Sequence, residues 1–140
     1  MMRLFRGKDM KTGEWVEGDL IISKNQYYIH PIHNSFQVKE TGLSGPIVLH
    51  EVREDTVSQF TGLTDKNGKL IFEGDLITIP GSKRQGLPAP VKWSNFDARF
   101  EISRRGFNSI CLDGDEGIYE VIGNIYDISK EHLEYVENLL

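Results

Sequence analysis

Two matched pairs of carboxylates are the first candidates for chemistry in this chain. Glu17 and Asp19 flank Gly18, and Glu73 and Asp75 flank Gly74. Four such acids brought together would hold a divalent cation or divide general acid and general base duties between them. His30 and His33, with His50 and Cys111 elsewhere, supply the donor types of a zinc site. Zinc sites bring closely spaced ligand pairs together twice, and only one such pair exists here, so the histidines are read as structural. Cys111 is the only cysteine and sits in Ser109-Ile-Cys-Leu, which favours a small buried hydrophobe over a reactive thiolate. No glycine-rich phosphate loop, Gly-x-Ser-x-Gly elbow or Cys-x-x-Cys pair occurs. We therefore expect no catalytic residue, no metal and no cofactor.

A second cluster is basic and aromatic. Lys83, Arg84, Lys92, Trp93, Arg99, Arg104 and Arg105 follow one another closely, and together they offer a groove for nucleic acid or for an acidic partner. Asp97 and Glu101 interrupt them, so a solvated strand face beside a basic loop is the competing reading. In a strand over Arg99 to Ser103, Phe100 and Ile102 point inward while Arg99 and Glu101 point out. Residues 80–90 hold three prolines and two glycines, which excludes a helix or a central strand there.

The elements that position these residues announce themselves by repetition. Phe5-Arg-Gly, Asp9, Gly13 and Glu17-Gly-Asp-Leu-Ile21 return as Phe60-Thr-Gly, Asp65, Gly68 and Glu73-Gly-Asp-Leu-Ile77, an offset of 55 at the Phe and 56 at the Glu. Glycines and acids recur while the filler changes, so the echo reads as repeated backbone geometry rather than a repeated reactive centre. Gly18-Asp19 and Gly74-Asp75 are accordingly expected to be turns leading into strands. Asn67-Gly68 carries the signal of a two-residue type I′ hairpin.

Period-two patterning predicts strands at Glu14–Ile22, Gln26–His30, Phe36–Lys39, Ile47–Val52, Thr56–Phe60, Lys69–Phe72, Leu76–Pro80, Val91–Trp93, Ala98–Ser103, Phe107–Leu112 and Tyr119–Tyr126. One helix is expected, over 129–140. Ser129 caps it, Ile128 and Leu133 staple it, and Leu133, Val136 and Leu140 form its apolar stripe. The expected fold is mainly β: a small SH3-like barrel core built from pseudo-repeated strand-turn-strand elements, with a docked C-terminal helix. It is expected as one unit over 1–140, divisible into an N-terminal half, 1–57, and a barrel half with the helix, 58–140.

With 140 residues, 39% hydrophobic and 26% charged, the composition is that of an ordinary globular chain rather than a disordered or fibrous one. The net charge of −5 is uneven: residues 113–140 carry eight acids against Lys130, leaving a mildly basic remainder. That asymmetry suits head-to-tail self-association or a solvated acidic end, and overall charge lends nucleic-acid binding no support. No run approaches the roughly 18–20 apolar residues that span a bilayer, and the first residues lack a signal sequence, so a cytoplasmic protein without membrane contact is expected.

Gln59 to Ile77 closely resembles the signature of the YopX-like proteins, small proteins found mainly in phages and prophages. Phe5-Arg-Gly-Lys-Asp resembles that family's opening segment, and Glu120-Val-Ile-Gly-Asn-Ile-Tyr126 its closing one. The resemblance implies a mostly β fold related to SH3-like barrels and self-assembly, and it attaches no activity, cofactor or catalytic residue to the motif. Three functions fit these features. The first is a phage accessory protein acting by binding or homo-oligomeric assembly. The second is a nucleic-acid-binding module, and the third a metal-dependent enzyme built on the duplicated acids.

Overall fold

The computed structural model describes residues 4–32, 37–39, 42–44, 47–78, 88–103, 109–112 and 118–128. Among them, alternating apolar residues form strands in antiparallel sheets, and a 3-10 turn at Glu54–Thr56 is the only helical element. The helix expected over 129–140 lies outside the described residues. The chain divides into two compact units, Met1–Gln59 and Phe60–Leu140.

In the first unit, β1 (Phe5–Lys8), β2 (Trp15–Ser23), β3 (Gln26–Pro31) and β6 (His50–Val52) form an antiparallel sheet in the order β6-β3-β2-β1. The opening residues of β7 (Ser58–Thr64) continue it, Gln59 opposite Phe5 and Ser58 opposite Arg6. β4 (Gln37–Lys39) and β5 (Gly42–Ser44) make a separate two-stranded pair. Leu4, Ile29 and Val52 are buried, together with Arg6, Asp9, His30, Thr56 and Ser58. β2 and β3 are joined through Lys24 and Asn25, both at positive φ (50° and 63°), which is the two-residue hairpin geometry that matches strand twist.

In the second unit, Phe60 and Thr64 of β7 pair with Phe72 and Leu70 of β8 (Leu70–Phe72). A five-stranded sheet follows in the order β12-β11-β10-β9-β13: β9 (Asp75–Thr78), β10 (Ala89–Ser94), β11 (Arg99–Ile102), β12 (Ile110–Cys111) and β13 (Glu120–Asn124). Ile71, Ile77, Ala89, Val91, Ile102, Leu112 and Tyr119 form its buried core, with Leu63, Phe100 and Val121 packed against it. Cys111 is half-buried on β12.

Four expectations need correction. Among the described residues the sheets are open, with β6, β8, β12 and β13 as edges, so the core is not a closed barrel. Closure depends on long-range strand registers that alternation along the chain does not encode. Gly18 and Asp19 sit inside β2, opposite Pro31 and His30, and not in a turn. Asn67-Gly68 belongs to a three-residue loop, because the Asp65 N–H donates to the Lys69 carbonyl and the Gly68 N–H to the Asp65 carbonyl, with Gly68 alone at positive φ. Ala98 turns the β10–β11 hairpin at φ 50° instead of opening β11. Sequence patterning also passed over β1, whose Phe-Arg-Gly-Lys has neither a β-branched residue nor clean alternation.

Candidate functional site: a carboxylate-aromatic cleft in the second unit

The echoed phrase resolves into two aspartate clamps. Asp9 Oδ1 accepts the backbone N–H of Lys11 (2.7 Å) and Thr12 (3.0 Å), closing the β1–β2 loop. Its other oxygen, Oδ2, lies 2.7 Å from His50 Nδ1 on β6. Asp65 does the same in its own unit: Oδ1 accepts Asn67 and Lys69 N–H (both 2.9 Å), and Oδ2 accepts Val121 N–H (3.0 Å) on β13. In each copy one oxygen sets a hairpin loop and the other ties that hairpin to a strand far away in sequence. These are the residues that reading the motif as Glu-Gly-Asp turns overlooked. The signal that would have found them is an Asp two residues ahead of loop amides, where an Asx-type bond forms.

The His50 bond, with the Lys11 and Thr12 amides, holds the Asp9 carboxyl down at about 2, against an ordinary value of 3.8. An ionised carboxylate only accepts, so His50 donates its Nδ1 proton. The depressed acid contributes stability that is complete above pH 4 and lost as pH falls towards 2. We expect the stability difference between the wild type and Asp9→Asn to shrink steadily across that interval in acid titrations followed by circular dichroism. A difference that is constant from pH 5 to pH 2 would contradict the clamp. Burial alone would raise the Asp65 carboxyl; the Val121, Lys69 and Asn67 amides and the Lys69 charge overcome it and lower it.

The second Glu-Gly-Asp is a true corner, between β8 and β9. Asp75 is buried and its Oδ2 accepts the Phe72 N–H at 2.8 Å, while Gly74 adopts φ 87°. The Gly74 N–H donates to the Val91 carbonyl, and its own carbonyl accepts the Ile125 N–H (both 2.9 Å). A β-carbon at Gly74 would stand 2.7 Å from the Tyr126 ring, so the glycine is what lets that ring lie over the corner. The corner thereby aims Glu73 into a cleft of about 310 Å³ bordered by Gly74, Pro90, Lys92, Trp93, Ile125 and Tyr126.

Glu73 is half-buried there, and burial pushes its carboxyl above the usual 4.5 even though the Trp93 backbone N–H donates to it. Among the described residues it has no ion-pair partner. Trp93 is 45% exposed and meets Phe100 edge-on at 5.0 Å. Phe96, at the tip of the same β10–β11 hairpin, is 97% exposed. A group whose folded-state pKa is raised lowers stability as pH rises through that value. Glu73→Gln should therefore raise the melting temperature at pH 7, by up to about 4 °C, and do nothing at pH 4. Unchanged melting at both values would remove the desolvated charge from this account.

The other expected site residues fall as follows. Trp93 lies on one face of β10 and Lys92 on the other, in register with Glu101. Arg99, on the same face as Lys92, is 3.7 Å from both Asp97 and Glu101, so its charge is compensated. Lys83, Arg84, Arg104, Arg105 and His33 lie outside the described residues. Asp19 is exposed, 3.9 Å from the buried His30, whereas Asp75 is consumed by its corner. Among the described residues no group of three or more His, Cys, Asp or Glu is placed to hold a metal ion, and no helix is long and apolar enough to cross a membrane.

The YopX protein family matches residues 4–132 of the sequence. The chain belongs to the YopX family. Its clamps and corner lie in the Phe-x-Gly to Glu-Gly-Asp segments that carry the resemblance, so in this YopX protein the family phrase corresponds to backbone fixation. The crystal structure of protein EF1440 from Enterococcus faecalis is similar, with a TM-score of 0.56 over 97% of this chain and 99% of that one, at 23% identity. Likeness at that identity shows the fold alone. No curated protein matches the YopX chain.

Proposed function

We propose that this chain is a phage-type accessory protein of the host cytoplasm that works by binding a protein partner, including copies of itself, and not by turnover. The observation that supports this reading is the Glu73 cleft. A half-buried carboxylate that has no ion-pair partner among the described residues and is flanked by Trp93 and Tyr126 is a poor structural choice and a good recognition element. Stability given up at a site is commonly given up for function. The exposed Phe96, at the tip of the hairpin that carries Trp93, offers an apolar anchor of the kind that dominates interfaces.

Light scattering over a concentration series tests assembly: the wild type should gain mass with concentration and Trp93→Ala should not. A monomer at every concentration would remove self-association and leave partner binding. The alternative reading, nucleic-acid binding, rests on Lys92 and Arg99 with the basic residues of 83–105. The compensation of Arg99 by Asp97 and Glu101 weighs against it. Filter binding at low salt decides, since salt-sensitive retention of DNA or RNA would favour it.

A further inference from the structure

The walls of the cleft specify more than a binding site. Glu73 presents a carboxylate held by one neutral donor, the Trp93 N–H, and therefore keeps acceptor capacity for a strong, charge-assisted bond. The indole of Trp93 and the phenol ring of Tyr126 border the same space, and aromatic faces attract cations. The chain builds such a contact elsewhere: in the first unit the guanidinium of Arg6 lies 4.5 Å above the Trp15 ring and the ammonium of Lys8 lies 5.4 Å from it. Among the described residues no cation stands over Trp93. The two indoles thus differ in that one is already covered by cations and the other is beside an acid with no ion-pair partner among the described residues. We propose that the Glu73–Trp93–Tyr126 cleft receives a basic side chain of a protein partner, a guanidinium or ammonium group that bonds to Glu73 and stacks on the aromatic walls.

This inference rests on the binding reading above and narrows it to one ligand chemistry. A neutral amide would bond to the carboxylate but leave its half-buried charge unmatched, and an anion would be repelled by it. The cleft suits a single side chain, since 310 Å³ is at the lower end of the volumes that enclose small molecules. Arginine fits better than lysine, because its planar fork can bond a carboxylate and stack on a ring at once.

The test uses the intact chain labelled with nitrogen-15, with N-acetyl-arginine amide as probe and N-acetyl-citrulline amide as its uncharged isostere. The arginine probe should shift the Trp93 indole N–H resonance and leave that of Trp15 in place. It should bind at least about tenfold more tightly than citrulline, the ratio that one charge-assisted contact supplies. Glu73→Gln, which keeps an acceptor for the Trp93 N–H, should abolish the preference. Equal binding of both probes, or a preference that survives in Glu73→Gln, would overturn the cation assignment while leaving the cleft as a binding site. No shift at Trp93 with either probe would overturn it as well, whereas the binding reading itself fails only if Trp93→Ala retains the partner. Light scattering in the same titration separates the sources of the cation. Loss of assembled mass as the probe fills the cleft assigns it to a second copy of the chain, and unchanged mass assigns it to another protein.

Discussion

Gly18→Ala is expected to unfold the first unit. Gly18 sits where β2 passes between β1 and β3, paired with Phe5 on one side and Pro31 on the other. A β-carbon built there runs into the backbone carbonyl of His30. Backbone in a paired strand has no rotamer to escape into, so relief means parting β2 from β3. Overpacking a well-ordered interior costs about 1–3 kcal/mol and sometimes more; this site belongs at or beyond the top of that range. Gly13→Ala is the control. That glycine has φ 71° but no atom within 4 Å of an added β-carbon, so only the left-handed backbone opposes the change, at about 1–2 kcal/mol. Urea unfolding of the two variants should therefore separate them clearly, and equal losses would contradict the close approach of β2 to His30.

Asp65→Ala should be comparably damaging in the second unit, for an electrostatic reason. Asp65 is 3% exposed and gathers three backbone N–H groups, from Asn67, Lys69 and Val121. Around it the Lys66 N–H donates to the Tyr119 carbonyl and the Lys66 ammonium meets Glu120 at 3.0 Å, so the β7–β8 hairpin and β13 are joined at this point. Removing the carboxylate strands buried donors, each worth about 1–3 kcal/mol when left unmade. A total near or above about 3 kcal/mol is a large part of what so small a unit has. Asp65→Asn keeps one acceptor oxygen but turns an amide donor towards another donor, and should lose about half as much. The depressed acid contributes its stability above pH 4 and loses it as pH falls through its folded-state value, so the gap between wild type and Asp65→Asn should close in acid. Melting curves of both variants at pH 7 and pH 3 check the order and the closing gap.

The legible part of this fold is the part written locally. Alternation of β-branched and aromatic residues places most strands to within a few residues, since it reports which face of a pleated strand is buried. The turn at Asn67-Gly68 is located by its residue types, yet its geometry is decided by the Asp65 carboxylate, which reaches ahead to Asn67 and Lys69. Identical spelling also hides different structure. Glu17-Gly-Asp and Glu73-Gly-Asp read alike, but one lies within a central strand and the other turns a corner, because what stands beside each glycine is the His30 carbonyl in one case and the Tyr126 ring in the other. Those neighbours come from elsewhere in the chain and leave no trace in the local pattern. The site was hidden for the same reason: Glu73 looks like a turn acid until β10 brings Trp93 and the segment after β13 brings Tyr126 to its side. Trp93 was marked as a candidate for its basic neighbours, and strand alternation then puts Lys92 on the opposite face.

Partner recognition by this YopX protein is proposed to run through the Glu73–Trp93 cleft. Its most direct test is affinity capture from lysogenic cells with three baits side by side: the wild type, Glu73→Gln and Trp93→Ala, each shown to melt as a folded protein. One protein should be retained by the wild type and lost from both variants. The same protein retained equally by all three baits would contradict it.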